Sequence, residues 1–240
     1  MKAILTFHSI DDSESVLSFS PATFERMLND ILRADIRICT LDELVRPEVD
    51  NALAITFDDG MQSVFENALP LLRDAKVPSH LYLTTGFVGR DNHWPTQPAS
   101  APFFNMMDWS QIEACVDAGM HIENHTISHP DLRLLTESQI DDECRGADEE
   151  ITKRLGREPN HFAYPYGFYN ASTAEKLGQR YTTCVTTVLA PLARYSSVAE
   201  LPRIDSYYLQ HRRCFEDLFA KRHIGYLALR RGMRSVRSFF

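Results

Sequence analysis

Strand-like and helix-like segments alternate along most of this chain, and the alternation restricts the folds that it can adopt. Apolar runs rich in strand-forming residues occur at residues 2–7, 53–57, 79–84, 121–124, 161–164 and 182–187. Between most of these runs lie segments whose apolar residues recur at helical spacing. The pattern predicts parallel strands with helices covering the outside.

Capping residues mark the starts of two predicted helices. Ser20 precedes Pro21, which is typical of an N-cap followed by the first helical residue. Thr136 has Gln139 three residues on, which predicts a capping box opening a long helix that ends before Gly156. Helices are expected over residues 21–33, 62–76, 110–118, 136–155 and 171–178. A chain of 240 residues with this pattern suits a single α/β domain.

The composition excludes several classes of protein. Hydrophobic residues make up 44% of the chain, but no apolar run approaches the roughly 20 residues that cross a bilayer. The segment before His8 is too short for a secretory signal, so a cytoplasmic location is expected. The cysteines are widely separated and form no CxxC pair, which argues against a disulfide framework and a thiolate zinc site. They are Cys39, Cys115, Cys144, Cys184 and Cys214.

Charge divides the chain into an acidic body and a basic end. The net charge of −8 argues against nucleic-acid binding. The last 23 residues hold no acidic residue, and their basic residues are Lys221, Arg222, Arg230, Arg231, Arg234 and Arg237. With interleaved apolar residues such as Phe239 and Phe240, this end could make a weak, peripheral contact with an anionic membrane surface. We favour the alternative, a terminal helix with a solvated basic face. The expected organisation is a barrel at residues 1–212 and a basic helix or tail at residues 213–240 that packs on the barrel or extends from it.

Four groups of polar residues each follow a predicted strand directly. They are His8, Asp58 with Asp59, His125 with His129, and the Pro-Tyr-Gly turn at residues 165–167. In folds with parallel strands, functional residues collect on loops at the carboxyl ends of the strands. A barrel would bring all four groups to one mouth, so we expect them to form a single site.

Asp59, His125 and His129 are predicted to bind one divalent metal ion. Two histidines four residues apart can approach the same ion, and the carboxylate adds an oxygen ligand. This set suits Zn²⁺, with Co²⁺ or Ni²⁺ as alternatives, and leaves positions open for water and substrate. The ion would acidify a bound water and polarise a carbonyl. The competing interpretations are a simple turn at residues 58–60 and a pair of surface or capping histidines.

Three more residues complete a predicted hydrolytic mechanism. Asp58 lies beside the expected cation, which keeps it ionised, so it is the predicted general base. His8 is the predicted general acid because a histidine can donate a proton at physiological pH, although it could also be a satisfied core histidine. The bend at residues 165–167 could aim the Tyr166 backbone N–H at a developing oxyanion.

Three of these motifs, in this order, resemble the polysaccharide deacetylase family with its NodB-homology domain. They are Thr-Phe-Asp-Asp-Gly at residues 56–60, the His-Thr start and His-Pro-Asp-Leu end of residues 125–132, and the Pro-Tyr-Gly turn. The resemblance covers residues 2–204 and implies a distorted (β/α) barrel of about seven parallel strands with a divalent metal, often zinc. It implies removal of acetyl groups from amino sugars. It also implies the roles given above to Asp58, Asp59, His125, His129 and Tyr166.

Two departures from the family pattern point to one of its branches. Residues 162–164 hold no arginine ahead of the turn, and residues 209–211 only match the letters of the late Leu-x-His motif. A branch similar to the poly-N-acetylglucosamine deacetylases departs in the same ways, with an early histidine and a Leu-Pro-Arg-Ile segment. This chain has His8 and Leu-Pro-Arg-Ile at residues 201–204. The resemblance therefore assigns His8 as the acid and places Arg203 near the base.

Substrate contacts are expected around the same mouth. The loop at residues 86–107 contains aromatic residues, of which Trp94 is predicted to stack on a sugar ring at one wall of the cleft. The alternative is a packed lid without ligand contact. Tyr164, Pro165 and Arg203 complete the predicted substrate-binding set.

The sequence thus predicts a metal-dependent deacetylase that hydrolyses the N-acetyl group of an amino sugar in a poly- or oligosaccharide, in surface-polysaccharide biosynthesis or modification. Two alternatives stay open on the same fold. One is a hydrolase of a small amide or cyclic imide, and the other is a catalytically silent carbohydrate-binding domain. The intact set of Asp58, Asp59, His125 and His129 argues against the silent domain.

Overall fold

Parallel β-strands form a closed barrel in this chain. The computed structural model describes residues 1–98, 100–193 and 196–237, with side chains described as far as residue 233. Its strands are β1 (Lys2–Phe7), β2 (Arg37–Ile38), β3 (Ala52–Asp59), β4 (Ser79–Leu83), β5 (Met120–Asn124), β6 (His161–Ala163), β7 (Thr183–Leu189) and β8 (Leu201–Asp205). Within these residues the barrel order is β1-β8-β7-β6-β5-β4-β3, closed by β3 pairing with β1, while β2 pairs with the start of β3. The predicted single-domain (β/α) barrel of about seven parallel strands is confirmed.

Helices flank the barrel and follow the predicted alternation. They are α1 (Pro21–Arg33), α2 (Leu41–Leu44), α3 (Leu69–Ala75), α4 (Trp109–Asp117), α5 (Glu137–Leu155), α6 (Ala171–Arg180) and α7 (Lys221–Arg237). The Ser20 side chain accepts a hydrogen bond at the start of α1, and Thr136 and Gln139 form both bonds of a capping box before α5. Gly156 ends α5 in the left-handed conformation, with φ 68°. These local capping residues fixed both helices as predicted.

The helix predicted over residues 62–76 is present, but its first half is not a regular α-helix. Residues 64–68 form a π-helical turn, in which the Leu69 N–H donates to the Val64 carbonyl, and α3 follows. Pro70 has no N–H, and in a regular helix its ring would clash with the carbonyl four residues earlier. A wider turn before the proline relieves that clash.

Strand β8 was not predicted, although it closes the barrel between β7 and β1. Pro202 lacks the N–H that a regular ladder requires, and proline usually argues against a central strand. The pairing of β7 with β8 is irregular, since Val185 pairs with Leu201 but Leu189 pairs with Arg203. The irregularity in the ladder spans the proline, which is how β8 accommodates it.

The barrel interior is packed and becomes polar toward its carboxyl end. One buried cluster joins side chains from six strands: Ile4, Ala52, Ala54, Tyr82, Ala163, Val185 and Leu201. Because side chains alternate between the two faces of a strand, Asp58 shares the inward side with Ala54, and Arg203 shares it with Leu201. Both charged side chains are almost fully buried. The strands therefore carry ionisable groups into the mouth of the barrel.

Helix α7 packs on the barrel through part of its length. Leu227 is buried and belongs to the largest core cluster, and His223 is buried as well. Of the predicted basic tail, Phe239 and Phe240 lie outside the described residues, as do the side chains of Arg234, Val236 and Arg237. In the part of the chain that the structure describes, no helix is long and apolar enough to span a membrane.

Candidate active site

The carboxyl ends of β3 and β5 bring Asp59, His125 and His129 together. The Asp59 Oδ1 atom lies 3.4 Å from Nε2 of His125 and 3.4 Å from Nε2 of His129. All three side chains are buried. Two atoms that each bind one zinc ion at about 2.1 Å, at the tetrahedral angle, lie about 3.4 Å apart. The spacing of the three side chains thus fits a tetrahedral metal ion.

Unsatisfied polar atoms support the same assignment. Asp59 Oδ1 and His129 Nδ1 are buried without a hydrogen-bond partner among the described residues. Burial opposes ionisation of Asp59, but the two imidazoles beside it outweigh burial and hold the pKa of this carboxyl well below its usual range. A buried carboxylate oxygen without a partner is costly, and a divalent cation would satisfy it.

Hydrogen bonding orients one imidazole of the site, and burial sets the protonation state of the other. The His125 Nδ1 atom lies 2.8 Å from the Ala163 carbonyl oxygen, to which it donates, so the lone pair of Nε2 faces Asp59. Burial, opposed by Asp59, lowers the pKa of His129 to about 3, so this ring is neutral at physiological pH. Neutral imidazole is the form that binds metal ions.

The backbone around the site is held in an unusual conformation. Asp59, Thr126, His129 and Tyr166 have φ values of 73°, 69°, 53° and 57°, which are left-handed. Each such residue costs on the order of 1–3 kcal/mol, and strain of this kind clusters at functional sites. The surrounding hydrogen bonds must therefore impose these conformations.

Glu143 of α5 is the main anchor of the histidine loop, and the sequence analysis missed it. Its Oε2 accepts the backbone N–H groups of Ile127 and Ser128, both at 2.9 Å, and its Oε1 accepts the Ser128 hydroxyl at 2.6 Å. Within the loop, the His129 N–H donates to Thr126 Oγ1 at 3.0 Å. A charged residue on a helix surface gave no sequence signal for this role, because it depends on how α5 packs beside the loop.

Arg203 holds the carboxylate of Asp58 in a bidentate ion pair. Its Nη1 and Nη2 atoms each donate to one Asp58 oxygen at 2.7 Å, and its Nε donates to the Thr186 carbonyl at 2.9 Å. Burial favours the neutral acid, but Arg203 lowers the pKa of Asp58 below its ordinary value. Arg203 lies near the predicted base, as the resemblance implied, but its donors are directed at protein atoms. The structure therefore places it behind Asp58 and not at a substrate-binding surface.

His8 reaches the same carboxylate from the end of β1. Its Nε2 atom lies 3.9 Å from Asp58 Oδ2, and its side chain is 23% exposed. This exposure distinguishes His8 from the buried pair His125 and His129. The structure thus places a histidine that solvent can reach beside the predicted base.

Trp94 and Tyr166 pack around His129. The Trp94 ring lies 4.4 Å from the His129 ring, centroid to centroid, and its Nε1 donates to the Tyr166 hydroxyl at 2.8 Å. Trp94 is only 4% exposed. The structure therefore favours the packed lid over the predicted exposed wall, because a buried indole has no open face for a sugar ring.

Tyr164 precedes the turn that contains Tyr166, and Pro165 is the first residue of that turn. Tyr164 is buried and its hydroxyl donates to the Ala199 carbonyl at 2.9 Å. Pro165 is buried as well. Alternation along β6 turns Ala163 inward and Tyr164 outward, toward the helices. The structure does not bring these two predicted substrate-binding residues to the surface of the cleft.

A second buried group, His80, Glu123 and His161, lies near the opposite end of the barrel. Its ligand atoms lie within 4.8 Å of one another. However, His80 Nε2 accepts the Leu41 N–H at 3.0 Å, so Nδ1 carries the proton that it donates to Glu123 Oε1. Glu123 Oε2 accepts the N–H groups of Asn160 and His161. His80 and Glu123 therefore already have hydrogen-bond partners, and His161 Nε2 is the one ligand atom of this group without a hydrogen-bond partner among the described residues.

Comparisons with known proteins agree with the geometry. A family model described as polysaccharide deacetylase matches residues 46–182, more than half of the chain. The Bacillus subtilis (strain 168) protein YxkH is 26% identical over 158 residues, which cover 65% of this chain and 51% of that protein. The poly-β-1,6-N-acetyl-D-glucosamine N-deacetylase of Staphylococcus aureus (strain MSSA476) is 25% identical over 169 residues, which cover 64% of this chain and 55% of that enzyme. The chain thus spans about half the length of these curated relatives.

A solved structure shares the fold over almost its entire length. The Streptococcus pyogenes deacetylase PplD, solved in complex with acetate, superimposes with a TM-score of 0.76 and 21% identity. The match covers 90% of this chain and 96% of the other. At this identity the likeness establishes the barrel and leaves the substrate to be argued from the site.

Proposed function

This chain belongs to the polysaccharide deacetylase family, and from that premise we propose that it is a metal-dependent deacetylase of N-acetylated amino sugars. The substrate that we propose is a poly- or oligosaccharide. The observation that carries the proposal is the joint placement of Asp59, His125 and His129 beside Asp58, which Arg203 holds. The N-acetylglucosamine polymer named for the Staphylococcus aureus relative supports this choice of substrate.

The metal ion would be held by Asp59, His125 and His129, with Zn²⁺ the best fit to one carboxylate and two imidazoles. When bound, such an ion supplies Lewis-acid polarisation of the acetyl carbonyl and acidification of water. The surrounding residues have two roles, which are to hold the ion and to hold its ligands in place. Asp59 and the two histidines fix the position of the ion, and Trp94 and Glu143 fix His129 and its loop.

Asp58 accepts the proton of the attacking water as it adds to the acetyl carbon. The bidentate contact with Arg203 keeps the carboxylate ionised and prevents it from rotating. The backbone N–H of Tyr166 donates to the developing oxyanion. Arg203 holds Asp58 in place before substrate arrives, so this carboxylate needs little reorganisation during the reaction.

His8 protonates the nitrogen of the sugar as the C–N bond breaks, which releases the free amine and acetate. An amide nitrogen is a poor leaving group unless it gains a proton, so a general acid is required. His8 lies beside Asp58 on the open side of the site, where a sugar can approach it. The proton taken up by Asp58 and the proton given by His8 balance the hydrolysis.

Acetate release from N-acetylglucosamine oligomers, measured before and after chelation, tests the proposal. We expect release to stop with chelator and to return on addition of Zn²⁺ or Co²⁺. A His129→Gln variant should lose activity together with metal binding, while His93→Gln, an exposed histidine outside the site, should retain both. Full metal binding without acetate from any acetylated sugar would overturn the proposal in favour of a small-amide hydrolase, and sugar binding without turnover would indicate a silent domain.

A further inference from the structure

A cavity of about 520 Å³ lies between the segment that follows β8 and helix α7. Its lining includes Tyr207, Tyr208, Arg212, Arg213, His223 and Tyr226. Asp205, the last residue of β8, pairs with Thr6 of β1, which leads directly to His8. The cavity therefore belongs to the same rim of the barrel as the proposed active site, on the His8 side.

Two N–H groups in the cavity lining have no partner. Arg212 Nη1 donates to His223 Nδ1 at 2.9 Å, so a neutral His223 carries its proton on Nε2. Burial and the neighbouring Arg212 lower the pKa of His223 to about 4, which keeps the ring neutral at physiological pH. His223 Nε2 and Arg212 Nε are both buried donors without a hydrogen-bond partner among the described residues. Leaving two such donors unpaired is costly, so the site calls for an acceptor.

The charge of the lining favours an anionic acceptor. Arg212, Arg213 and Arg222 line the cavity against a single carboxylate, Asp217. Asp217 accepts hydrogen bonds from Arg212 and Arg222, which leaves a net positive lining. Guanidinium groups together with a neutral imidazole donor match the oxygens of a phosphate group.

The aromatic residues give the site a second chemical property. Tyr207 and Tyr226 are each 42% exposed, so their rings offer accessible faces beside the nitrogen donors. The Tyr226 ring is nearly parallel to the His223 ring, at 24° and 6.0 Å between centroids. Exposed aromatic faces with adjacent basic donors suit a ligand that has both a ring and an anionic group.

We propose that this cavity is a binding site for the phosphate group of a phosphorylated saccharide. The phosphate oxygens accept hydrogen bonds from His223 Nε2 and Arg212 Nε, and Arg213 adds charge. The sugar ring lies against Tyr207 or Tyr226. Because the cavity lies on the same rim as the proposed active site, we include phosphorylated saccharides in the substrate class proposed above. Only this link to the substrate rests on the proposed function.

Calorimetric titration with glucose 1-phosphate tests the site without any deacetylation, because the probe carries no acetyl group. Inorganic phosphate and glucose serve as the two half-probes. We expect glucose 1-phosphate to bind more tightly than either one. Arg213→Gln, which changes an exposed side chain, should weaken binding several-fold, and His223→Phe and Arg212→Lys should weaken it about tenfold or more. Arg154→Gln, an arginine on α5 that pairs with Glu150, is the matched control and should bind normally.

Three results would overturn the proposal. The first is that Arg213→Gln and the unaltered protein bind glucose 1-phosphate with equal affinity. The second is that the unaltered protein binds glucose as tightly as glucose 1-phosphate. The third is that it binds inorganic phosphate more tightly than glucose 1-phosphate. A nitrogen-15 spectrum of the histidine side chains gives a second measurement, in which the His223 Nε2 signal should shift on addition of the probe. Because these measurements involve no turnover, a failed deacetylase proposal would leave their outcome unchanged.

Discussion

Replacing Arg203 with methionine should destabilise the protein strongly while leaving the packing of the barrel almost intact. The change removes both hydrogen bonds to Asp58, at 2.7 Å each, and the bond to the Thr186 carbonyl. Asp58 would then be a buried charge without its partner. Removal of one member of a buried ion pair costs about 3–5 kcal/mol, because the remaining charge keeps its desolvation penalty. We therefore expect the free energy of unfolding to fall by about this amount.

Urea unfolding followed by circular dichroism gives the measurement, and two further variants identify the cause. Asp58→Asn combined with Arg203→Met removes the unpaired charge, so it should recover at least about 1 kcal/mol relative to Arg203→Met alone. Arg154→Met breaks an ion pair with Glu150 in which the arginine is 46% exposed. That exposed pair should contribute less than about 1 kcal/mol.

An unfolding free energy of Arg203→Met within about 1 kcal/mol of that of the unaltered protein would refute this account of the ion pair. A double variant no more stable than Arg203→Met would refute it as well. Should Arg203→Met fail to fold, Arg203→Lys keeps the charge but cannot form the bidentate contact. Its stability should lie between those of the other two proteins. Acetate release by Arg203→Lys should also fall, because a single donor leaves Asp58 free to rotate.

Three other predictions follow from the contacts around the site and beneath it. Glu143→Ala should weaken Zn²⁺ binding about 10- to 100-fold in a chelator competition, because alanine leaves the Ile127 and Ser128 N–H groups without an acceptor. Glu143→Gln should bind Zn²⁺ almost normally, and equal Zn²⁺ affinity of the two variants would contradict this prediction. Trp94→Phe should lower the free energy of unfolding by about 1 kcal/mol, because the hydrogen bond to the Tyr166 hydroxyl is lost. The KM for oligosaccharides should not change, and a raised KM would support the sugar-stacking role of Trp94. Burial lowers the pKa of His80 to about 3, against about 6.5 in the unfolded chain, so protonation favours unfolding and stability should be lost as pH falls from about 6.5 toward 3. His80→Gln should reduce the slope of the melting temperature between pH 4 and 7, and an unchanged slope would show that His80 does not contribute.

The grouping of the proposed metal ligands could be predicted from the sequence because strand ends can be recognised locally. Asp59 and His125 directly follow apolar runs, and in parallel α/β folds the carboxyl ends of the strands share one rim. The roles of Trp94 and Tyr164 could not be predicted in the same way. An aromatic residue in a loop has the same sequence signature whether its ring faces solvent or the core, and only the packing of the chain decides between them. Glu143 shows the same limit for a charged residue on a helix.

The position of Arg203 near Asp58 could be predicted only through the family resemblance. The structure explains why Arg203 must occupy this position in β8. Two opposite charges inside a barrel must lie at the same level and on the same face of their strands. Alternation directs Asp58 inward with Ala54, and Arg203 inward with Leu201. A shift of β8 by one residue would turn Arg203 outward and leave Asp58 unpaired. The irregular pairing of β7 with β8 across Pro202 therefore helps to position the proposed base, because this pairing sets the register in which Arg203 contacts Asp58.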